Sequence, residues 1–223
     1  NEFYIGWQPA APRGYRTFVK GSLFVLFPLM VSLGFLLSSS QKKFTTGSFE
    51  LGKPTTLKGI YFNYPVPNIK VPLGKDILGN YSAISIPLVG YGKHGAESVI
   101  AALEKEHQLS LNKREVTLSG ALLYNDGKLL MQIDKNDDPL KSTGELASNR
   151  QLLPATTELG VYKVRGEIVD PKCYFGVMKP GEGKPHRDCA VRCILGGIAP
   201  VMRVRNEKGE ANYNVYASDK KQT

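Results

Sequence analysis

The sequence predicts a mainly β protein of the α+β class, with one N-terminal transmembrane helix followed by two small OB-like barrels. Three observations support this. Residues 21–40 are apolar and uncharged. Beyond them, short apolar runs alternate with turn residues, as strands and turns do. Three of those runs open alike: TLKGIYF from Thr56, TLSGALLY from Thr117 and KVRGEIV from Lys163. A glycine inside a strand marks a bulge or sharp bend, which a small barrel needs in order to close. A single α+β sandwich is the competing architecture.

Residues 1–20 (NEFYIGWQPAAPRGYRTFVK) read as an aromatic, polar arm, and residues 21–40 as the spanning helix. About 20 residues make roughly 30 Å of helix, enough to cross a hydrocarbon core. Pro28 and Gly34 weaken a helix in water and are tolerated in a bilayer. A signal peptide also places basic residues before a short apolar stretch. The length of the arm favours an anchor instead. Trp7, Tyr15 and Phe18 are the candidate interfacial aromatics. Ser32, Gly34 and Ser38–Ser40 form a small-residue stripe suited to close packing against other membrane helices. Arg13, Arg16 and Lys20 before the helix outnumber Lys42 and Lys43 after it, which predicts a cytoplasmic N-terminus and, in a bacterium, a periplasmic C-terminal domain.

Residues 41–53 read as a linker carrying Gly47 and Gly52. The first OB-like domain is expected over 54–135. It opens with two extended runs separated by Pro65 and Pro67, then a strand at Tyr81–Val89 and a glycine-rich turn, GYGKHG, at Gly90–Gly95. Ala96–Gln108 places Val99, Ile100 and Leu103 on one face, as an amphipathic helix does. A hairpin turning at Asn125-Asp126-Gly127 follows. The polar stretch Asn136–Arg150 separates this unit from a second OB-like domain at 155–218. That unit has a strand ending at Asp170, a short helix from His186 to Leu195, and a hairpin around Glu207–Gly209. Pro185 suits a first helical turn and Gly196–Gly197 a helix end.

The formal charge of +9 and pI near 9.4 admit nucleic acid, anionic lipid or an acidic partner. The basic residues are scattered, and runs such as Lys42–Lys43 and Lys220–Lys221 are no longer than pairs. Diffuse charge attracts at long range without forming a footprint, so no nucleic-acid partner is expected. Tyr61, Phe62 and Tyr64 with Lys58 are the one aromatic and basic group to weigh against that. GYGKHG lacks the spacing of a phosphate loop, and DKNDD at residues 134–138 lacks the glycine and glutamate of a calcium loop.

All three cysteines fall between Cys173 and Cys193. At 100° per residue, His186, Cys189 and Cys193 lie within about 60° of one another on a helix face. Cys173, at the end of the preceding strand, can meet that face. Three sulfurs and an imidazole make a sensible tetrahedral set, with zinc the candidate cofactor. A disulfide from Cys173 to Cys189 or Cys193, or three thiols packed as small apolar residues, remain open beside it. A nucleophile set of Cys173, His186 and Asp170 would need an exposed, activated thiolate.

The pattern C-Y…G-x-G-K-x-H-x-x-C-A-x-x-C-I-x-G-G-I-x-P, with GKHGA at Gly92–Ala96, resembles a group of bacterial membrane-anchored envelope proteins with small OB-like exported domains. The resemblance covers mainly residues 90–216. It implies a bacterial envelope protein with a structured Cys/His loop, and carries no reaction with it. The expectation is therefore a non-catalytic, single-pass accessory subunit of a bacterial inner-membrane complex of the electron-transfer, respiratory or photosynthetic kind. Its partners would be integral membrane subunits and the lipid bilayer. The alternative is a metal-binding or thiol redox module built on the Cys/His loop.

Overall fold

Pro12 sets where the first helix begins, because proline ends whatever precedes it and starts a helix without strain. In the computed structural model, which describes residues 11–41, 47–75, 77, 81–125, 127–147, 160, 163, 165–205 and 211–216, helix α1 runs from Arg13 to Ser40. It starts before residue 21, where the charge-free stretch begins, because nothing between Arg13 and Lys20 breaks a helix. Pro28 lies inside it, and none of its residues is buried. The helix is apolar and long enough to cross a membrane, a property that a signal sequence shares. Tyr15, Phe18, Ser32 and Gly34 are exposed on α1, while Trp7 lies outside the described residues. The chain divides into two compact units, Asn1–Lys43 and Phe44–Thr223.

The second unit opens with β1 (Ser48–Phe62), β2 (Asn68–Lys75), β3 (Tyr81–Val89), helix α2 (Glu97–His107), β4 (Arg114–Asn125), β5 (Lys128–Gln132) and β6 (Leu140–Leu146). The pairing order is β1-β2-β3-β5-β4, and β4 pairs back onto β1, so five strands join in a ring. The β3–β5 pairing is parallel and the others are antiparallel. Part of the expected linker is strand: Ser48 pairs with Tyr124, and the register shifts between Phe49 and Pro54. Gly52 there takes a φ of 75°, which lets the strand bend without strain.

The three strand glycines singled out by the repeated opening each sit where another backbone comes close. A Cβ on Gly59, Gly120 or Gly166 would collide with the carbonyl of Lys70, Gln132 or Arg203. These close backbone approaches therefore rest on the missing side chains. Helix α2 buries Ile100 and Leu103 against a core that includes Tyr61, Ile69, Ile86, Leu118 and Met131.

The stretch expected as a polar boundary at 136–150 contains β6, which pairs with the N-terminal half of β4. It is an edge strand that is largely exposed, and the Ser142 hydroxyl bonds to Thr117 Oγ1 at 2.8 Å. Polar side chains suit such an edge, which is why its apolar pattern is weak.

Beyond it, β7 (Gly166–Val169), helix α3 (Arg187–Leu195), β8 (Val201–Arg205) and β9 (Ala211–Tyr216) are described, with the strands in a three-stranded antiparallel sheet, β7-β8-β9. The expected turn at Glu207–Gly209 and residues 155–159 lie outside the described residues. This segment shares a core with the first strands. Val89, Leu123 and Leu130 pack with Val169, Phe175, Cys193, Ile198 and Val201.

Candidate metal centre

Asp170-Pro171 ends β7 and starts a tight turn. The fully buried Asp170 carboxylate accepts from the amides of Lys172 (2.9 Å) and Cys173 (3.4 Å). Proline follows at the position whose amide has no helical partner to lose. The turn then widens, with the Met178 amide bonded to the Cys173 carbonyl at 3.1 Å. The side-chain amide of Asn125 donates to the Tyr174 carbonyl at 3.0 Å, tying the turn to the β4–β5 hairpin. Gly181 packs so close that a Cβ would strike the backbone of Cys173 and Tyr174. Cys173 is thereby held in place.

The opposite wall is α3. A short 3-10 turn at Lys184–His186, with Pro185 in its first positions, leads into the helix, and Gly197 (φ 98°) follows its end. His186 and Cys193 are buried and Cys189 is half-buried.

The four residues expected as ligands fall into two groups that share Cys173. Ligand atoms of Cys173, His186 and Cys189 lie within 4.8 Å of one another, as do those of Asp170, Cys173 and Cys193. No sulfur–sulfur bond joins the three thiols, and the Sγ atoms of Cys173 and Cys189 stand 4.0 Å apart. Two sulfurs on one tetrahedral zinc, each at about 2.3 Å, stand about 3.8 Å apart. The Cys173–Cys189 separation is thus close to that of two sulfurs on one zinc, and the three residues could together hold a soft divalent cation. His186 supplies a second sign: it is 2% exposed and its Nε2 has no hydrogen-bond partner among the described residues. A buried polar atom left unbonded requires an explanation, and a metal bond is one.

Two lysines, neither singled out by sequence reasoning, complete the electrostatics. Lys93 Nζ donates to Cys189 Sγ at 3.1 Å. Lys172 Nζ donates to the carbonyls of Gly90 (2.8 Å) and Gly92 (2.7 Å). The loop at 90–95 and the cysteine segment thus exchange lysines. The backbone seals the contact: the Gly95 amide donates to the Gly196 carbonyl at 3.1 Å, and a Cβ on Gly196 would collide with the Lys93 carbonyl. The paired glycines of GYGKHG and Gly196–Gly197 were the available signal for this docking, but each half also reads as an ordinary turn. Lys93 at Cys189, and Lys172 near Asp170, are cations that would offset the negative charge of thiolate ligands.

Burial, reinforced by the neighbouring Asp170 carboxylate, pushes the Cys173 thiol up and Cys193 up to about 12. The hydrogen bond to Cys189 raises Lys93, whereas burial lowers Lys172 against the opposing pull of Asp170. A metal binding at Cys173 has to displace a proton. The same burial argues against Cys173 as the exposed thiolate of a nucleophile set.

Other candidates from the sequence take plain structural places. Tyr61 and Phe62 are buried in the core, so they offer no stacking platform, and only Tyr64 of that trio is exposed. His94 and His107 are exposed. Asp134 caps the short turn of DKNDD, accepting from the Asn136 amide at 3.0 Å. Beside the candidate ligand group lies a cleft of about 480 Å³ between β7 and α3, with His186 in its wall. In comparisons with known proteins, no protein-family model, no curated protein and no solved structure matches this chain.

Proposed function

We propose that this chain is a membrane-tethered β domain that holds one zinc ion through Cys173, His186 and Cys189. The observation that carries the reading is the convergence of three soft donors within 4.8 Å, one of them a buried histidine whose Nε2 is otherwise unbonded. Thiolate and imidazole together select zinc over hard cations such as calcium or magnesium. The scaffold is read as OB-like, supported by the five-strand ring and the helix between β3 and β4. Elemental analysis of the full-length protein, purified under reducing conditions, is the test. One equivalent of zinc is expected, lost in Cys173→Ala and in His186→Ala. Retention in Cys193→Ala means a three-residue site, and loss means that Cys193 is the fourth ligand. Protein that is metal-free as isolated and takes up neither zinc nor cobalt overturns the proposal.

A second reading concerns the tether. Helix α1 exposes apolar residues all round and buries none, which favours insertion beside lipid and the helices of integral membrane subunits. On this reading the chain is a non-catalytic accessory subunit of a bacterial inner-membrane complex of the electron-transfer, respiratory or photosynthetic kind, with the β domain in the periplasm. The sequence resemblance to membrane-anchored envelope proteins and the basic residues before α1 support it. Mild detergent extraction with a tag on the β domain should bring other membrane subunits along. A monomer that purifies alone removes this reading.

A further inference from the structure

The cleft beside His186 is lined on its walls by Ile168, Val169, Ala190, Val191 and Ile194. Ile168 is 54% and Val191 49% exposed, so the apolar surface is open to a ligand from outside. At about 480 Å³ the cleft falls in the size range of small-molecule sites, roughly 300–1,000 Å³.

Its charges are sorted. The two acidic residues in the lining are already engaged: Glu167 accepts from the Gly183 amide at 2.5 Å, and Glu182 pairs with Arg203, whose guanidinium lies 4.8 Å over the Tyr174 ring. Lys184 and Arg187, also in the lining, are exposed and have no ion-pair partner among the described residues. Both flank the start of α3, where no side chain caps the helix. The positive end of the helix dipole adds to the two cations. The cleft therefore offers apolar walls and two cations that have no ion-pair partner among the described residues.

We propose that this cleft binds an organic monocarboxylate with a compact apolar tail. The carboxylate sits between Lys184, Arg187 and the start of α3, and the tail lies along Ile168, Val191 and Ile194. This goes beyond the zinc reading and does not rest on it.

Phenylpropanoate is a suitable probe, because it is water-soluble and combines one carboxylate with one ring. Ligand-observed NMR titration of the full-length protein in amphipol should show saturable binding. Phenylpropanol, which keeps the tail and loses the charge, should bind at least tenfold more weakly. Propanoate and phenylpropylammonium should not bind measurably. The exposed pair K184E/R187E should lose at least tenfold in affinity for phenylpropanoate. V191W, which fills the cleft from a half-exposed position, should abolish binding while thermal unfolding stays unchanged. Equal affinity for phenylpropanol, or binding that survives V191W in folded protein, overturns the assignment. Metal content is counted separately on the same samples, so the zinc reading and this one fail independently.

Discussion

Replacing Lys172 by methionine isolates the contact that joins the 90–95 loop to the cysteine segment. Lys172 is 4% exposed, and its ammonium donates to two carbonyls, Gly90 and Gly92. Methionine keeps the volume and removes both donors. Bonds from a charged donor contribute about 1.5–3 kcal/mol each. Water can replace the lysine at Gly92, which is exposed, but not at the buried Gly90. The relief of burying no charge offsets part of the loss, leaving a net cost of about 2 kcal/mol from one stranded carbonyl. For a protein of this size that lowers Tm by about 4–8 °C. Calorimetry measures the total, and hydrogen exchange localises it. The amides of Gly90, bonded to His94, and Gly95, bonded to Gly196, should lose protection, while those of β4 keep theirs. There is a pH signature as well. Burial lowers the Lys172 pKa below 10.5, so the folded protein releases that proton before the unfolded chain does. Wild-type stability therefore gains on the variant as pH rises through the window between the lowered value and 10.5. An unchanged Tm with unchanged exchange at Gly90 and Gly95 would refute the reasoning.

Other expectations follow from the same geometry. Zinc at a hundredfold excess over its Kd should stabilise the metal-free protein by about 2.7 kcal/mol, or about 5–11 °C in Tm, and chelation should reverse the shift. With the metal removed, stability should fall as pH rises from 9.0 towards about 12, because the unfolded chain sheds its thiol protons while buried Cys193 and Cys173 keep theirs. The slope is at most about 1.4 kcal/mol per pH unit per thiol, and Cys193→Ala should reduce it. Gly196→Ala should cost about 1–3 kcal/mol, since its methyl group meets the Lys93 carbonyl. Weaker zinc retention in that variant would be read by competition with a chelator. Leu130→Ala, in the core shared by both parts of the β unit, should lose about 2–5 kcal/mol in chemical denaturation.

How much of this was legible in the sequence differs from element to element. Helix α1, helix α2 and the β4–β5 hairpin follow from local patterns: an uncharged apolar run, a face of Ile100 and Leu103, and an Asn-Asp-Gly turn. Each is decided within a few residues, so periodicity and turn chemistry suffice. Strand β6 escaped because an exposed edge needs little apolar patterning. The start of β1 escaped because Gly47 and Gly52 look like linker residues. What holds that stretch in a strand is β4, far along the chain.

The site divides the same way. By itself the sequence placed Cys189 and Cys193 on one short helix, with His186 at its start and Cys173 across a loop, because helical spacing is a local property; the structure puts His186 in the 3-10 turn just before that helix. Only the tertiary structure decided that Cys173 groups with His186 and Cys189 on one side and with Asp170 and Cys193 on the other. Nor could any local pattern place Lys93 on Cys189, since those residues are 96 positions apart. Their meeting depends on Gly95 and Gly196 packing backbone against backbone, and a side chain on Gly196 would prevent it.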